Sequence, residues 1–405
     1  MRILLVTQWF QPEPHFKGLE FAKALRALGH EVEVLTGFPN YPGGALYPGY
    51  RLRPVRRETM DGIRVTRGYL YPSHDRSAVR RIGNYVSFAL SSTLLALTRR
   101  RPDVVYVYTP PMTAALAPVM LRLLRQVPFV CDIQDLWPDT LAATGMIDNP
   151  RVLRMVGLWT HFALRRASRI VVLSDGFCRR LTERGLGTAV AVVPNWAPPE
   201  IVEVADCLPS AKAETADGRF TILFAGNMGG AQGLNSVLDA AALLRARAPA
   251  IRFVLIGGGV DKDALRARAG AMGLTNVEFR AALHPSRMGE VFAEADALLV
   301  HLRADPLFAI TIPSKTQAYL AVGKPILMGV SGDAAAMVEA AGAGIVFEPE
   351  RPEALAEAAI HLATMDGERR SAMGEAGRRF YAERLAFNIG VAAIERELRI
   401  AAGRA

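Results

Sequence analysis

Apolar runs of strand length alternate with stretches of helical spacing along the first half of the chain. Lys17–Leu28 has the spacing of an amphipathic helix and stops at Gly29. Apolar runs separated mostly by helix-like stretches are typical of a parallel sheet covered by helices on both faces. The predicted strands are Ile3–Val6, Glu31–Thr36, Val104–Tyr108, Phe129–Ile133 and Ile170–Leu173.

The same pattern starts again in the second half. Residues 198–218 are rich in Pro, Ala, Glu and Asp, lack periodicity, and are interpreted as a linker. After them, Phe220–Ala225 is a predicted strand and Leu234–Ala246 a predicted helix. Two such halves predict an α/β protein of two Rossmann-like domains facing across a cleft, where such folds bind ligands. The expected parts are an N-terminal domain at 1–197, a C-terminal domain at 219–380, and a helix at 381–405 that packs back toward the N-terminal domain.

Composition and charge narrow the class of protein. The chain has 405 residues, of which 51% are hydrophobic and 21% charged, and this balance fits two globular domains rather than disorder. Residues 1–200 carry 26 Lys and Arg against 15 Asp and Glu, whereas the rest carries 22 against 24. The basic first half indicates an anionic partner: nucleic acid, a phospholipid surface or a phosphorylated substrate. Three cysteines without a CxxC pair favour a reducing cytosol over a disulfide framework or a zinc site.

One predicted helix of the second half has features of a phosphate site. Thr311 is placed to cap it, and Pro313 suits its first turn. That turn also carries Ser314, Lys315 and Thr316. Free N–H groups and a partial positive charge at a helix N-terminus, joined by a lysine and two hydroxyls, would cradle a phosphate. The alternative is an ordinary capped helix.

A glycine-rich loop, Gly226–Gly233, follows a predicted strand and opens a helix. Glycines there let the backbone approach a ligand closely. The spacing matches neither a dinucleotide-binding GxGxxG sequence nor a Walker loop, so a tight strand-to-helix turn is the alternative. The loop should lie at the same sheet edge as the helix that begins near Ser314, which favours a binding function.

Two further segments follow predicted strands of the first half. Gln8–Gly18 is long for a first strand-to-helix loop and contains Trp9, His15 and other aromatic or charged residues. Loops at this position usually touch ligand, although a solvated loop is the alternative. Asp135 lies just after a buried strand and would face the cleft, unless it caps the next helix. No Ser-His-Asp order, metal-ligand cluster or paired-carboxylate motif is specific enough to assign.

Two apolar segments of the basic half are accompanied by arginines. Ile82–Thr98 has no charged residue and lies between Arg80-Arg81 and Arg99-Arg100-Arg101. Such a segment is marginal for spanning a bilayer and better fits an interfacial helix whose basic flanks meet anionic headgroups. Val152–Arg166 is a second basic, apolar segment; for each, a buried domain helix is the alternative. Nucleic acid is a weaker partner, because no RNA or DNA motif is present.

Several short motifs together point to a known family. They are Gln8–Gly18, Gly29–Thr36, Asp135–Pro138, Val193–Asn195 and Gly226–Gly229, joined by Gly37–Gly44 and Pro313–Gln317. The first five resemble the family 4 retaining glycosyltransferases of the GT-B fold. The last two resemble, more narrowly, the WbuB-like branch, described as N-acetyl-L-fucosamine transferases of O-antigen and capsule synthesis.

The chain departs from the family at positions that grip substrate. Members usually have two glutamates separated by seven residues in the donor site, and the matching positions here are Ile310 and Ala318. The resemblance therefore leaves Gln317, or another polar group, to hold the ribose. A histidine usually stands where this chain has Gln134, so Asp135 is the remaining acceptor-side candidate.

The diphosphate clamp of the family is also changed. An Arg and a Lys normally follow the glycine-rich strand, and the matching positions here are Asn227 and Gln232. Positive charge must then come from elsewhere. Lys315 is the first candidate, with Arg303 or Arg280 in support.

The resemblance implies transfer of an N-acetylated aminosugar from a UDP-sugar to a lipid-diphosphate-linked saccharide, at the inner face of the cell membrane, without a metal or other cofactor. The expected catalytic residues are Lys315, Asp135 and His15. The expected donor-binding residues are Gly226, Asn227, Gly229, Arg280, Arg303, Ser314, Lys315, Thr316 and Gln317. The alternatives are a UDP-sugar 2-epimerase-like enzyme, a degenerate transferase that scaffolds a membrane complex, and a nucleic-acid binder.

Overall fold

The computed structural model describes residues 1–73, 78–208 and 218–404, which form two compact units. Unit 1 consists of Met1–Pro194 together with the residues from Gly390 onward, and unit 2 is Asn195–Ile389. Each unit contains one sheet with helices packed against it. The α/β class and the two Rossmann-like domains predicted from the sequence are confirmed.

The sheet of unit 1 has eight strands in the order β3-β4-β2-β1-β5-β6-β7-β8. All neighbours pair in parallel except β3 and β4, which form an antiparallel edge. Every residue of β5 and β6 is buried, as expected for central parallel strands covered on both faces. The strands are β1 Arg2–Thr7, β2 Glu31–Gly37, β3 Val55–Met60, β4 Ile63–Gly68, β5 Val104–Thr109, β6 Phe129–Ile133, β7 Arg169–Val172 and β8 Val190–Val192.

Local capping signals fix several helices of unit 1. Asn149 accepts a hydrogen bond from the Arg151 amide at 2.9 Å, and Ser174 accepts one from the Phe177 amide at 3.1 Å. The helices are α1 Leu19–Ala27, α2 Ala78–Leu97, α3 Leu116–Arg125, α4 Asp139–Ala143, α5 Pro150–Leu164 and α6 Asp175–Glu183, with short 3-10 turns at Met112–Ala115 and Gly187–Ala189.

The sheet of unit 2 is entirely parallel, with the order β11-β10-β9-β12-β13-β14. In chain order this is 3-2-1-4-5-6, the arrangement of dinucleotide-binding Rossmann folds. The strands are β9 Phe220–Ala225, β10 Ile251–Ile256, β11 Val277–Arg280, β12 Ala297–His301, β13 Ile326–Gly329 and β14 Gly344–Val346. The helices are α7 Pro199–Asp206, α8 Leu234–Arg247, α9 Lys262–Ala271, α10 Met288–Glu294, α11 Pro306–Ala309, α12 Ser314–Val322, α13 Asp333–Ala341, α14 Pro352–Thr364 and α15 Gly367–Arg384, with 3-10 turns at Gly230–Gln232 and Pro285–Arg287. The last helix, α16 Phe387–Ala401, begins in unit 2 and lies mostly in unit 1.

The structure differs from the sequence prediction in the segments that join the units. Part of the predicted linker is helix α7, and residues 209–217 of that linker lie outside the described residues. Instead of one helix, the C-terminal region has α15 and α16. From Gly390 onward α16 belongs to unit 1, where Glu395 contacts His30 at 2.9 Å and Glu397 pairs with Arg169 at 2.5 Å.

Candidate active site

The sheet of unit 2 has its switch point between β9 and β12. These strands pair side by side, and each continues into a loop at the carboxyl edge of the sheet. The Arg303 amide, after β12, donates to the Ala231 carbonyl, after β9, at 2.9 Å and so joins the two loops. Ligands of open α/β sheets bind at this point of the fold.

The glycine-rich loop after β9 packs directly on the backbone that follows β10. The Gly226 amide donates to the Ile256 carbonyl at 2.9 Å, and the Met228 amide donates to the Gly258 carbonyl at 2.7 Å. Gly257 has a φ of 149°, and a Cβ added to it would lie 1.8 Å from the Gly226 carbonyl oxygen. Only glycine fits there, so the sequence Gly257-Gly258-Gly259 supports the loop.

The Lys315 side chain packs against this loop, and no carboxylate of the described residues forms an ion pair with it. Its ammonium nitrogen is 3.6 Å from the centroid of the Phe224 ring and 3.3 Å from the place where a Cβ of Gly226 would be. The nitrogen is buried and has no hydrogen-bond partner among residues 1–73, 78–208 and 218–404. Burial lowers the pKa of Lys315 to about 7. Burying a charged ammonium group without a partner is unfavourable, so an anion beside Gly226 would stabilise its charged form.

Helix α12 carries Lys315 and is fastened to β9. The Tyr319 hydroxyl accepts a hydrogen bond from the Ala225 amide at 2.9 Å, so the helix and the end of the strand are held together. Ser314 is exposed at the start of the helix. Thr316 is fully buried, and its hydroxyl has no hydrogen-bond partner within the described part of the chain.

Two details of the predicted phosphate helix differ from expectation. The helix begins at Ser314 after Pro313, and the Thr311 hydroxyl donates to the Leu307 carbonyl at 2.8 Å, so Thr311 does not cap it. Gln317 is buried, and its amide nitrogen, when turned toward the helix start, donates to the Pro313 and Ser314 carbonyls at 3.0 and 3.1 Å. In this arrangement the Gln317 nitrogen is occupied by its own helix.

Asn227 and Gln232 stand at the loop positions where an Arg and a Lys of the diphosphate clamp were expected, and their side chains hydrogen-bond to each other. The Asn227 amide donates to the Gln232 side-chain oxygen at 3.4 Å, and the Gly229 backbone amide donates to the same oxygen at 3.0 Å. Asn227 and Gln232 therefore fix the shape of the loop and bring no charge to it.

The two arginines predicted in support of Lys315 lie in different settings. Arg280 ends the edge strand β11 and pairs with Glu278 at 2.6 Å and Glu294 at 2.9 Å, which raises its pKa. Arg303 lies at the switch point and is exposed, with its Cγ 3.2 Å from a Cβ built on Gly233. Of the two, Arg303 is the one that the fold brings to the glycine-rich loop.

Sequence reasoning missed His301, at the end of β12. It is 1% exposed, its Nδ1 lies 2.8 Å from the Gln232 carbonyl oxygen, and its Nε2 accepts from the Glu350 amide at 3.2 Å. These partners assign the proton to Nδ1, and burial lowers the pKa of His301, so the ring is neutral. A histidine that ends an otherwise apolar strand was the available signal.

Unit 1 has a buried ionic network at its own switch point, between β1 and β5. Lys17 pairs with Asp132, and both side chains are fully buried. Asp132 also accepts from the Tyr106 hydroxyl and, at 2.6 Å, from the Gln134 amide. Burial lowers the pKa of Lys17 against the opposing effect of Asp132. The network joins the Gln8–Gly18 loop to the end of β6.

His15 and Asp135, the predicted catalytic residues of unit 1, lie at the same sheet edge. The His15 Nε2 is 3.3 Å from the Thr7 hydroxyl, and its ring packs edge-on against Tyr108 at 4.4 Å between centroids. Burial, with the Lys17 charge, lowers the pKa of His15 to about 3, so the ring is neutral. Burial raises the pKa of Asp135 to about 6, within the range of a general base near neutral pH.

Glu13 stabilises the loops around this edge. Its carboxylate accepts from the Phe10 amide at 3.0 Å and from the Asn40 and Tyr41 amides at 2.7 Å each. These bonds and the Arg67 charge favour the carboxylate, but burial outweighs them and raises the pKa of Glu13 to about 7. The carboxylate connects Gln8–Gly18 to the loop after β2.

Helix α2, the predicted interfacial segment, has two different faces. Asn84 on the inner face donates to the Tyr71 carbonyl at 2.7 Å and to the Asn40 side-chain oxygen at 3.3 Å. The outer face exposes an apolar stripe at helical spacing: Val79, Ile82, Val86, Leu90 and Leu94. Within the described ranges, no helix combines the length and apolarity needed to cross a bilayer.

Helix α5, the second segment, exposes Met155 and Leu158. Its Trp159 points inward, where the indole N–H donates to the Met112 carbonyl at 3.2 Å. Both segments are therefore domain helices on one side, as the alternative held, and exposed apolar surfaces on the other.

Comparison with known proteins identifies the class. The family model named glycosyl transferase 4-like domain matches residues 19–196, and the family model named glycosyl transferases group 1 matches residues 210–380. The glycosyl transferase WcaI of Escherichia coli (strain K12), named for colanic acid biosynthesis, is 30% identical over 359 residues, which are 83% of this chain and 85% of WcaI. The chain belongs to the family 4 glycosyltransferases of the GT-B fold and is a glycosyltransferase.

Solved structures show the same fold. An alpha,alpha-trehalose-phosphate synthase (UDP-forming) from Burkholderia vietnamiensis has a TM-score of 0.73 at 15% identity, over 98% of this chain and 96% of that one. Anabaena Alr3699/HepE, in complex with UDP and glucose, has a TM-score of 0.66 at 17% identity, over 98% of both chains. The GT-B prediction is confirmed. Because the chain belongs to this family, the prediction of a glycosyltransferase is confirmed over the alternatives considered from the sequence. The WbuB-like branch stays a prediction.

Proposed function

We propose that this glycosyltransferase moves an N-acetylated aminosugar, with retention, from a UDP-sugar to a lipid-diphosphate-linked saccharide in cell-surface polysaccharide synthesis. The Lys315 ammonium group, buried and without an anionic partner beside Gly226, carries the proposal. The name of WcaI and the UDP complex of Alr3699/HepE support the polysaccharide and the nucleotide. The aminosugar follows from the resemblance of Gly37–Gly44 and Pro313–Gln317 to the WbuB-like branch.

The donor diphosphate would lie between the glycine-rich loop and the start of α12. Backbone N–H groups there, the Ser314 hydroxyl and the partial positive charge of the helix would contact its oxygens. Lys315 would then gain the counter-charge that it lacks and stabilise the UDP leaving group in place of a metal. Arg303 is near enough to the loop to support it.

The chemical step needs little from the protein beyond position and charge. The bond between the sugar C1 and the diphosphate oxygen breaks, and a bond from C1 to the acceptor hydroxyl oxygen forms on the same face. The departing diphosphate oxygen accepts the hydroxyl proton. Lys315 would stabilise the charge that develops on UDP. In unit 1, the neutral His15 ring and the ionised Asp135 carboxylate would orient the acceptor hydroxyl.

A membrane surface would present the lipid acceptor. From Ile82 to Leu94 the exposed stripe of α2 lies between Arg80 at one end and Arg100 and Arg101 at the other, all of them exposed, so apolar side chains would enter the interface while guanidinium groups meet anionic headgroups. This arrangement supports a peripheral position at the inner face of the cell membrane. We expect Leu90→Glu/Leu94→Glu to lose sedimentation with phosphatidylglycerol vesicles. Leu28→Glu, at an exposed position just after α1, should retain it, and retention by both variants would contradict the proposed surface.

Calorimetric titration with UDP tests the donor site. Lys315→Met should weaken UDP binding at least about tenfold, since it removes a charge-assisted contact. Lys23→Met, which removes a partly exposed lysine of unit 1, should leave UDP binding unchanged. Equal affinities in Lys315→Met and the parent protein would overturn the assignment. Transfer assays with UDP-N-acetylaminosugars and a prenyl-diphosphate-linked saccharide would then test the acceptor and the sugar.

A further inference from the structure

A basic cavity lies along the edge strand of unit 1. It has a volume of about 510 Å³ and is formed where the segment before β3 turns into that strand. Four of the six side chains or backbones that line it are arginines, and none is acidic. The lining is Gly49, Tyr50, Arg51, Arg53, Arg56 and Arg57.

Arg56 is paired with a carboxylate, and it helps to hold the shape of the cavity. Arg56 pairs with Glu58 at 3.0 Å and donates to the Gly49 carbonyl at 3.0 Å. Its guanidinium also lies 4.5 Å from the centroid of the Tyr50 ring, and that of Arg67 lies 4.8 Å from the same centroid. Two cation–π contacts hold this tyrosine in place.

The other three arginines have no counter-charge. Arg51, Arg53 and Arg57 are exposed, and none of them forms an ion pair with a carboxylate of residues 1–73, 78–208 or 218–404. Two carboxylates of the neighbouring strands are already used, because Glu58 pairs with Arg56 and Arg67, and Glu33 pairs with Arg64 and Arg99.

Positive charge on an edge strand has a simpler use, which is to prevent pairing with another sheet. That use requires neither a concave surface nor an ordered aromatic wall. A guanidinium group matches phosphate with two parallel N–H bonds, and three unpaired groups match two or three negative charges better than one. The cavity is therefore better suited to a diphosphate than to a single phosphodiester.

The cavity is connected to the proposed acceptor side. The Tyr50 amide donates to the Tyr47 carbonyl at 3.1 Å, and the Tyr47 hydroxyl donates to the Tyr41 carbonyl at 2.8 Å. Tyr41 packs on Trp9 of the Gln8–Gly18 loop, with 4.7 Å between ring centroids. One continuous loop thus leads from the aromatic pair beside the sheet edge to the arginines.

We propose that this cavity holds the diphosphate of the acceptor lipid, while the acceptor saccharide extends toward Tyr41 and Trp9. The inference rests on the proposed function, because it requires a diphosphate-linked acceptor. The same phosphate chemistry is also available from membrane phospholipids, so the test must separate the two sources.

Inorganic pyrophosphate and geranyl diphosphate are suitable probes for the full-length protein, titrated with UDP present in excess to occupy the donor site. Arg51→Gln/Arg53→Gln should weaken both probes about tenfold or more. Arg266→Gln/Arg369→Gln removes two exposed arginines of unit 2 and is the matched control, expected to bind like the parent protein. Thermal melting should show that all the proteins are folded, since each substituted side chain is exposed.

Unchanged pyrophosphate affinity in Arg51→Gln/Arg53→Gln would overturn the site. Phosphatidylglycerol vesicles supply the phosphodiester source, and a loss of vesicle binding as large as the loss of pyrophosphate binding would overturn the preference for a diphosphate. The donor-site proposal is tested separately, by the affinity of the protein for UDP. Failure of UDP to bind would refute that proposal, whereas normal UDP binding with no effect of the arginine variant would refute only this one.

Discussion

UDP binding should be accompanied by proton uptake at Lys315. Burial holds the pKa of the free ammonium group at about 7, and a bound diphosphate would return it toward the ordinary value of 10.5. The complex then binds more protons than the free protein above pH 7. Linkage gives an uptake of about 0.9 proton at pH 8 and about 0.1 at pH 6. The dissociation constant should accordingly rise about tenfold from pH 6 to pH 8.

The assay is calorimetric titration of UDP in buffers with different ionisation enthalpies. The slope of observed enthalpy against buffer enthalpy gives the number of protons taken up. UDP ionises too, but this contribution is the same for Lys315→Met and cancels in the difference between the two proteins. Equal uptake by both proteins at pH 8 would refute the reasoning, even if the variant bound UDP more weakly.

Three further predictions concern the two sheet edges. Gly257→Ala should destabilise unit 2 by about 3 kcal/mol in chemical denaturation, since its Cβ would overlap the Gly226 carbonyl. The control Gly258→Ala has no atom within 4 Å of its Cβ and should be close to neutral. Similar losses of stability in the two variants would contradict the backbone contact. If ionised Asp135 orients the acceptor, kcat should fall below about pH 6, where its carboxylate becomes protonated. Asp135→Asn should lower kcat and abolish this acidic limb of the pH profile. If the limb persists in the variant, another group is responsible for it. Lys17→Met should cost about 3–5 kcal/mol in urea unfolding, because it removes the counter-charge of a buried carboxylate. A loss below about 1 kcal/mol would contradict a stabilising role for the ion pair.

Local sequence signals were enough to predict the elements of the proposed donor site. The run of glycines at Gly226–Gly233 and the lysine in the first turn of α12 were recognised because strand, loop and helix follow one another directly in the chain. The capping role of Thr311 was wrong because a short helix, α11, precedes it and offers the Leu307 carbonyl to its hydroxyl. Two competing local partners cannot be ranked without the structure.

Contacts between distant segments were beyond sequence reasoning. The position of Gln317 depends on which side of α12 faces the core, and α12 is buried nearly all around. The bracing role of Glu13 depends on amides about 27 residues later, and the partners of His301 are 49 and 69 residues away. The expected support from Arg280 depended on strand order, which places β11 at the edge of the sheet.

The return of the chain into unit 1 after Gly390 affects how the protein is made. Unit 2 is a continuous segment, Asn195–Ile389, whereas unit 1 includes residues from both sides of it. During synthesis on a ribosome, all of unit 2 emerges before unit 1 has its last helix, although domains usually complete themselves in order from the N-terminus. Until that helix is made, Arg169 of unit 1 lacks its ion-pair partner Glu397. We therefore expect a fragment ending near Pro194 to aggregate or to need chaperones, and a fragment covering Asn195–Ile389 to fold by itself.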